Sequence, residues 1–212
     1  MKLYSYWRSS CSYRVRIGLN LKGLDYQIEP VHLVEGRQHS EDYRRRNPIA
    51  QVPTLVLDDG TNLVQSMAIL EYLEDAHGGA PLLPEAPAVR ARVRALAELV
   101  NSGIQPLQNF YVLKHVEREL GGSKLDWSRH FIRRGLLALE EMAAGEDSAF
   151  LVGDQPTLAD IFMVPQLYNA RRFELDMGEL PRLVAVDAAC QEHEAFVRAH
   201  PDNQPDAPEG GQ

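Results

Sequence analysis

Within its first 33 residues the chain changes hydrophobic period twice, and this limits the fold more than any other feature. Leu3, Ser5 and Trp7 alternate with Tyr4, Tyr6 and Arg8 as in a strand, and from Val15 a helical pattern runs through Ile17, Leu19 and Leu21. Gly23 and Asp25 mark a turn, and Tyr26 to Leu33 reads as a second strand. A strand, a helix and a strand in that order require a crossover, so the two strands are expected to be parallel neighbours in one sheet.

The pattern then changes character. A polar stretch from Glu35 to Arg46 and an Asn47-Pro48 pair lead to a strand over Val52 to Leu57. Asp58-Asp59-Gly60-Thr61 reads as a hairpin turn, Asn62 to Gln65 as a short closing strand, and Ser66 as the cap of a helix carrying Ile69, Leu70, Tyr72 and Leu73. The order is β-α-β, an irregular link, then β-β-α. Pro81, Pro84 and Pro87 punctuate the next segment, and beyond them the signals are helical. Helices are expected from Val89 to Val100 and on past Pro106, from Leu125 to Ala143, from Leu158 to Tyr168 and from Leu183 to Arg198. The expected architecture is an α/β domain over residues 1–80, a linker over 81–87 and an all-helical bundle over 88–212. Its tail, 201–212, is rich in Pro, Gly and Asp and is expected to fray.

Composition narrows the function classes. The net charge of −8 argues against non-specific nucleic-acid binding, and the one basic run, Arg44-Arg45-Arg46, reads as a solvated helix end. No apolar run approaches the roughly 20 residues of a membrane span, and no signal region follows Met1, so no membrane association and a cytoplasmic location are expected. Cys11 and Cys190 are too few for a disulfide scaffold and are expected to be reduced thiols. The seven histidines have no metal-ligand spacing, and no metal is expected.

The chemistry concentrates at Ser9-Ser10-Cys11-Ser12, between the first strand and the first helix. A helix N-terminus offers unpaired N–H groups and the positive end of the helix dipole, which favour an anion such as a thiolate. Read locally, the serines are equally suited to capping the helix and nothing more. Thr157-Leu-Ala-Asp160 has the spacing of a capping box, with Asp in place of the usual Glu, and is read as a folding element.

These fragments together resemble the cytosolic glutathione transferases. The resemblance rests on the β-α-β/β-β-α order, Val52-Pro53 at the start of a strand, Gln65-Ser66 at a strand-to-helix turn and the helical second half. Ser9-Ser10-Cys11-Ser12 narrows it to the zeta class. So do Gly103-Ile-Gln-Pro-Leu-Gln-Asn109, Val152-Gly-Asp-Gln-Pro-Thr-Leu-Ala-Asp160, Val164-Pro-Gln166 and Asn169-Ala-Arg-Arg-Phe173.

The resemblance implies a thioredoxin-like N-terminal domain, a helical C-terminal domain, glutathione as a cofactor that is not consumed, and a homodimer. The activity it implies is cis–trans isomerisation of maleylacetoacetate to fumarylacetoacetate in tyrosine and phenylalanine catabolism, by thiolate addition, bond rotation and elimination. The residues themselves leave Ser9 and Ser10 as equal candidates for the hydroxyl that steadies a thiolate; the resemblance implies Ser9 as donor to the glutathione sulfur, with Ser10, Cys11 and Ser12 lining the same loop. Gln38, a cis Val52–Pro53, Gln65, Ser66, Gln105 and Asn109 complete the implied glutathione set. Arg8 and Arg172 are the candidates for the substrate carboxylates, because a guanidinium offers a bidentate fork. Arg171 is expected to face elsewhere, Arg14 to orient the loop or pair with an acid, and Tyr4 and Tyr6 to pack. Gln105 and Asn109, one helical turn apart, are expected on one face.

Three alternatives stand beside this reading. One is the same chemistry on a shorter substrate, maleylpyruvate, or general zeta-class transferase activity. A second is a one-thiol cycle at Cys11, giving thiol transferase or dehydroascorbate reductase activity. The third is a non-catalytic glutathione-binding module.

Overall fold

The computed structural model describes residues 1–145 and 147–208, and in it the chain forms two units. The first is built on a four-stranded sheet of order β2-β1-β3-β4, made by β1 (Lys2–Ser5), β2 (Gln27–Pro30), β3 (Thr54–Val56) and β4 (Asn62–Val64). β1 and β2 pair in parallel with Leu3 opposite Ile28, as the crossover demands. β1 and β3 pair antiparallel with Leu3 opposite Leu55, and β3 continues antiparallel into β4. The turn before β4 holds Gly60 at φ 87°, and the Leu57 N–H closes it onto the Thr61 carbonyl at 2.9 Å.

Leu3 and Leu55 are fully buried, as are Ile17 and Leu19 of α1 (Ser10–Leu21) and Ile69, Leu70 and Leu73 of α3 (Ser66–Ala76). The two helices pack closely because Gly18 has no side chain; a Cβ there would run into Leu70. The polar link that read as irregular contains a 3₁₀ turn at Arg37–His39 and α2 (Glu41–Arg46). Arg45 pairs with Glu41 and Asp42 on the α2 surface, and Arg46 lies over the Tyr4 ring. The far ends of α1 and α3 are tied by a buried ion pair, Lys22 Nζ to Glu74 Oε2 at 2.7 Å, and the same carboxylate oxygen accepts the Leu82 N–H at 2.8 Å.

The second unit spans Leu83–Glu192 and is helical. It holds α4 (Pro87–Gly103), α5 (Phe110–Arg118), α6 (Lys124–Met142), α7 (Leu158–Arg172) and α8 (Pro181–Gln191). The expected helix does not run on past Pro106. It ends at Ile104, and a 3₁₀ turn, Gln105–Gln108, follows, because proline supplies no N–H for a continuing helix. The expected single helix over Leu183–Arg198 is likewise two, since His193 caps a separate α9 (Glu194–Ala199) with its Nδ1 accepting the Ala195 N–H at 3.2 Å.

α9 belongs to the first unit, with everything described from His193 onward. The expected division, with all of 88–212 in the helical domain, is therefore corrected. α9 packs on α1, where Asn20 Nδ2 donates to the Ala195 carbonyl at 2.9 Å and Arg16 Nε to the Ala199 carbonyl at 3.0 Å. The tail does not fray over 201–208. Pro201 and Gln204 are buried, and Gln204 Nε2 donates to the carbonyls of Arg198 and His200 at 2.9 and 2.8 Å. Residues 209–212 lie outside the described part. The composition over 201–208 suggests disorder, but Asn203 and Gln204 donate to the backbone at the end of α9 and Asp206 accepts the Trp7 N–H.

In the second unit the capping box forms as its spacing predicts. Asp160 accepts the Thr157 N–H at 2.8 Å, the Thr157 hydroxyl at 3.0 Å and the Leu151 N–H at 2.8 Å. Burial pushes the Asp160 carboxyl up to about 6, against the lowering pull of these donors. Its folded value lies above its unfolded one, so the stability it contributes is complete at acid pH and is lost as pH rises through about 6. Thr157→Ala is expected to cost about 1–2 kcal/mol by denaturant unfolding. The penalty should be larger at pH 8 than at pH 5, because the one donor lost, the Thr157 hydroxyl, serves the ionised carboxylate better than the neutral one. Equal penalties at the two pH values would sink this account.

Candidate active site

The Ser9–Ser12 loop is set at the C-terminal end of β1. Ser9 is the N-cap of α1, with φ −69° and ψ 119°, and its Oγ accepts the Ser12 N–H at 3.2 Å. Its own N–H is tied to the Tyr6 carbonyl at 2.9 Å. Helical geometry gives the Ser10 and Cys11 N–H groups no partner within the helix. The turn therefore presents the hydroxyl proton of Ser9 and two backbone donors. Ser9 and Cys11 are half-buried, whereas Ser10 and Ser12 are buried. Ser12 Oγ has no hydrogen-bond partner among the described residues.

A second helix N-terminus is held in register with the first. Gln65 is exposed and sits at φ 71°, ψ 119°, a left-handed conformation that costs a non-glycine residue about 1–3 kcal/mol and is found mainly at functional sites. Gln65, not Ser66, is the N-cap of α3, which corrects the expectation from sequence. Ser66 is the first helical residue and is buried. Its Oγ accepts from Arg14 Nη1 at 3.2 Å, so buried Arg14 connects α1 to the start of α3. Both serine hydroxyls, Ser9 and Ser66, accept from the protein and keep their own proton to donate.

The Val52–Pro53 peptide is cis, and Val52 packs in a cluster with Tyr6, Trp7, Val31 and Tyr43. The strand entry is gripped on both sides of the proline. The Gln51 carbonyl accepts from Tyr43 Oη at 2.5 Å and from Asn47 Nδ2 at 2.7 Å, and Thr54 Oγ1 lies 3.0 Å from Tyr43 Oη. Burial pushes the Tyr43 hydroxyl up, opposed by its bonds to Thr54 and Asn47, so it stays a neutral donor. Gln38 is buried in the 3₁₀ turn, its Nε2 3.1 Å from His39 Nε2, and its Oε1 has no partner among the described residues. Arg8 lies with its guanidinium 5.4 Å from the Trp7 ring centroid.

Among the candidates on the second unit, Gln105 opens the 3₁₀ turn and Asn109 caps α5, its Oδ1 accepting the Tyr111 N–H at 3.1 Å. They do not share one helical face, because the helix breaks between them. Gln108, which no sequence pattern marks, joins the 3₁₀ turn to α7. Its amide pairs reciprocally with that of Gln166 on α7, at 2.5 and 3.3 Å, both side chains being buried. Arg172 ends α7, exposed, with Nη1 donating to Asn169 Oδ1 at 3.1 Å. Arg171 turns away to bridge the buried Asp187 at 2.7 Å. Arg16, Tyr43, Asn47 and Asp206 were also missed. No local pattern marks them, since each acts on residues distant in the chain or on backbone carbonyls.

Cys190 is fully buried, and desolvation pushes its thiol up, out of reach of nucleophilic chemistry. Among the described residues no cluster of His, Cys, Asp and Glu is gathered for a metal, and no helix is long and apolar enough to cross a membrane.

Comparison with known proteins agrees with this geometry. Residues 1–75 match the family described as Glutathione S-transferase, N-terminal domain, and residues 132–189 match Glutathione S-transferase, C-terminal domain. The chain is 47% identical over 208 residues to probable maleylacetoacetate isomerase 2 of Drosophila melanogaster, covering 97% of this chain and 90% of that one. A crystal structure of maleylacetoacetate isomerase from Anaeromyxobacter dehalogenans with glutathione bound in its active site superimposes with a TM-score of 0.90 at 53% identity, covering 98% and 97% of the two chains. A holo structure of maleylpyruvate isomerase, a bacterial zeta-class glutathione S-transferase, superimposes with a TM-score of 0.95 at 40% identity, covering 98% of this chain and all of that one. The strand–turn–helix that carries Ser9, the cis-proline entry and the matched family together make this chain a member of the glutathione S-transferase family, in its zeta class.

Proposed function

We propose that the protein is a glutathione-dependent cis–trans isomerase that converts maleylacetoacetate to fumarylacetoacetate. The observation that carries the reading is the orientation of the Ser9 hydroxyl. Because its oxygen accepts the Ser12 N–H, its proton is free to be given to an anion at the start of α1. The donor set there fits a thiolate, and the α3 N-terminus at Gln65–Ser66 fits a carboxylate. The buried acceptor Gln38 Oε1 fits an N–H donor. Bound glutathione supplies the thiolate that adds to the conjugated double bond and leaves once the bond has rotated.

The chain's own part is to hold that sulfur ionised and to steady the substrate. Ser9 donates to the sulfur, and the Ser10 and Cys11 N–H groups add the field of the helix end. Gln65 and Ser66 would hold the γ-glutamyl carboxylate, and the backbone of Val52 would pair with the tripeptide. Arg8 offers its fork to a substrate carboxylate and to charge developing on the carbonyl oxygen. Arg172, Gln105 and Asn109 remain the residues of the second unit that the family resemblance assigns to substrate and glutathione. The resemblance likewise supports a homodimer in the cytoplasm.

A second reading, maleylpyruvate as substrate, is favoured by the likeness to the maleylpyruvate isomerase fold. The test is turnover of both substrates with and without glutathione. Isomerisation of maleylacetoacetate only in the presence of glutathione is the expected result, with kcat/KM at least about tenfold above that for maleylpyruvate, the lower end of what a difference in substrate length affords. Turnover without glutathione would refute the mechanism, and a preference for maleylpyruvate would select the second reading.

A further inference from the structure

Trp7, two residues before Ser9, is held from both sides of its backbone. Its N–H donates to Asp206 Oδ2 at 2.9 Å, and its carbonyl accepts from Arg16 Nη2 at 2.9 Å. Arg16 is itself fixed by the Ala199 carbonyl, so both grips run to the C-terminal segment. The second oxygen of Asp206, Oδ1, is buried with no hydrogen-bond partner among the described residues. The carboxylate is thus committed to one backbone N–H. Ala207 packs against the cluster of Tyr6, Trp7 and Val52. The segment is stiff enough to act as a brace, since Asn203 Nδ2 donates to the Val197 carbonyl at 2.7 Å and the Ala207 N–H to the Gln204 carbonyl at 3.0 Å.

We propose that residues 193–208 brace the Ser9 loop, with Asp206 as a positioning residue that sets the Ser9 hydroxyl and, through the Trp7 ring, the Arg8 guanidinium. The proposal rests on reading that loop as the glutathione site. A hydroxyl that ionises a thiol must be placed to within a fraction of an ångström, and a side-chain oxygen that accepts a hydrogen bond from the loop backbone is a direct way to place it. Trp7 is also where the brace meets the cis-proline cluster, so one contact sets two walls of the site.

The experiment compares the full chain with Asp206→Ala, Asp206→Asn and Asn203→Ala. Asp206→Ala is expected to raise the KM for glutathione about tenfold and to move the ionisation of the bound thiol, read by thiolate absorbance against pH, back towards its value in free solution. Asp206→Asn keeps an oxygen facing the Trp7 N–H and should stay within about twofold of the unaltered chain. Asn203→Ala, which loosens the brace without touching the loop, should shift both readings in the same direction by less. Hydrogen exchange over residues 6–12, measured without glutathione, should rise in Asp206→Ala. That readout keeps the test independent of the proposed activity, which fails separately if the unaltered chain does not bind glutathione. Unchanged exchange, KM and thiol ionisation in Asp206→Ala would overturn the proposal. So would an Asp206→Asn chain as impaired as Asp206→Ala, since charge and not the accepted hydrogen bond would then be at work.

Discussion

Ser9→Ala is expected to lower kcat/KM in the glutathione-dependent reaction by about 10²–10³-fold, the effect of removing one well-placed donor from a developing or resident anion. Cys11→Ala should stay within about threefold, because the thiol of Cys11 is not the nucleophile in this reading and its backbone N–H survives the change. The complication is that Ser9 also caps α1, so the alanine loses about 1 kcal/mol of stability for reasons unrelated to catalysis. Ser9→Gly separates the two roles. Glycine caps a helix nearly as well as serine but has no hydroxyl, so it should match the alanine in activity while melting close to the unaltered chain. The bound thiol's absorbance gives the direct reading, with its ionisation moving to higher pH in both variants. A Cys11→Ala chain without activity, beside an active Ser9→Gly chain, would transfer the chemistry to Cys11.

Arg16→Met should be the most damaging single change to stability, at about 3–5 kcal/mol by denaturant unfolding. Arg16 is fully buried, and its guanidinium donates to the Ala199 carbonyl, the Ser5 hydroxyl and the Trp7 carbonyl at 3.0, 3.1 and 2.9 Å. Methionine fills the volume of the stem but leaves three buried acceptors without a donor. Arg16→Lys retains the charge and one directional bond at most, so it should fall between the two. Because Trp7 is released along with Ala199, the glutathione KM should rise in step with the loss of stability. A methionine variant within about 1 kcal/mol of the original would mean that the guanidinium is not a structural pivot.

What was legible in the sequence was what is local. The change of period from Leu3 to Leu33 gave the parallel crossover, the Asp58–Thr61 turn gave the hairpin, and Thr157–Asp160 gave a cap whose partners are three residues apart. The Ser9 loop was legible for the same reason, since a cap and an anion site are written in consecutive residues. Arg16 and Asp206 were not, because they join the Ser9 loop to a segment 183 and 199 positions away and act mostly on backbone atoms, which no side-chain pattern announces. Gln65 is not legible as a cap, because its role depends on a backbone angle, φ 71°, that glutamine does not advertise. Pro106 reads in the sequence as one position of a continuing helix. Its missing N–H turns one expected helix into a helix, a 3₁₀ turn and a newly capped helix, and so separates Gln105 from Asn109.

The sheet unit is discontinuous in the chain, interrupted by the whole of the helical unit and completed only by α9 and the tail. The sheet, α1 and the Ser9 loop leave the ribosome before the helical unit, yet the carbonyl that fixes Arg16 and the carboxylate that fixes Trp7 emerge only after it. The helical unit, which is continuous, has all of its residues outside the ribosome before the sheet unit has its last ones. The sheet unit is therefore closed only after the whole helical unit has been made, and a nascent chain that stops short of residue 193 carries a complete Ser9 loop sequence without the carboxylate that holds the Trp7 N–H.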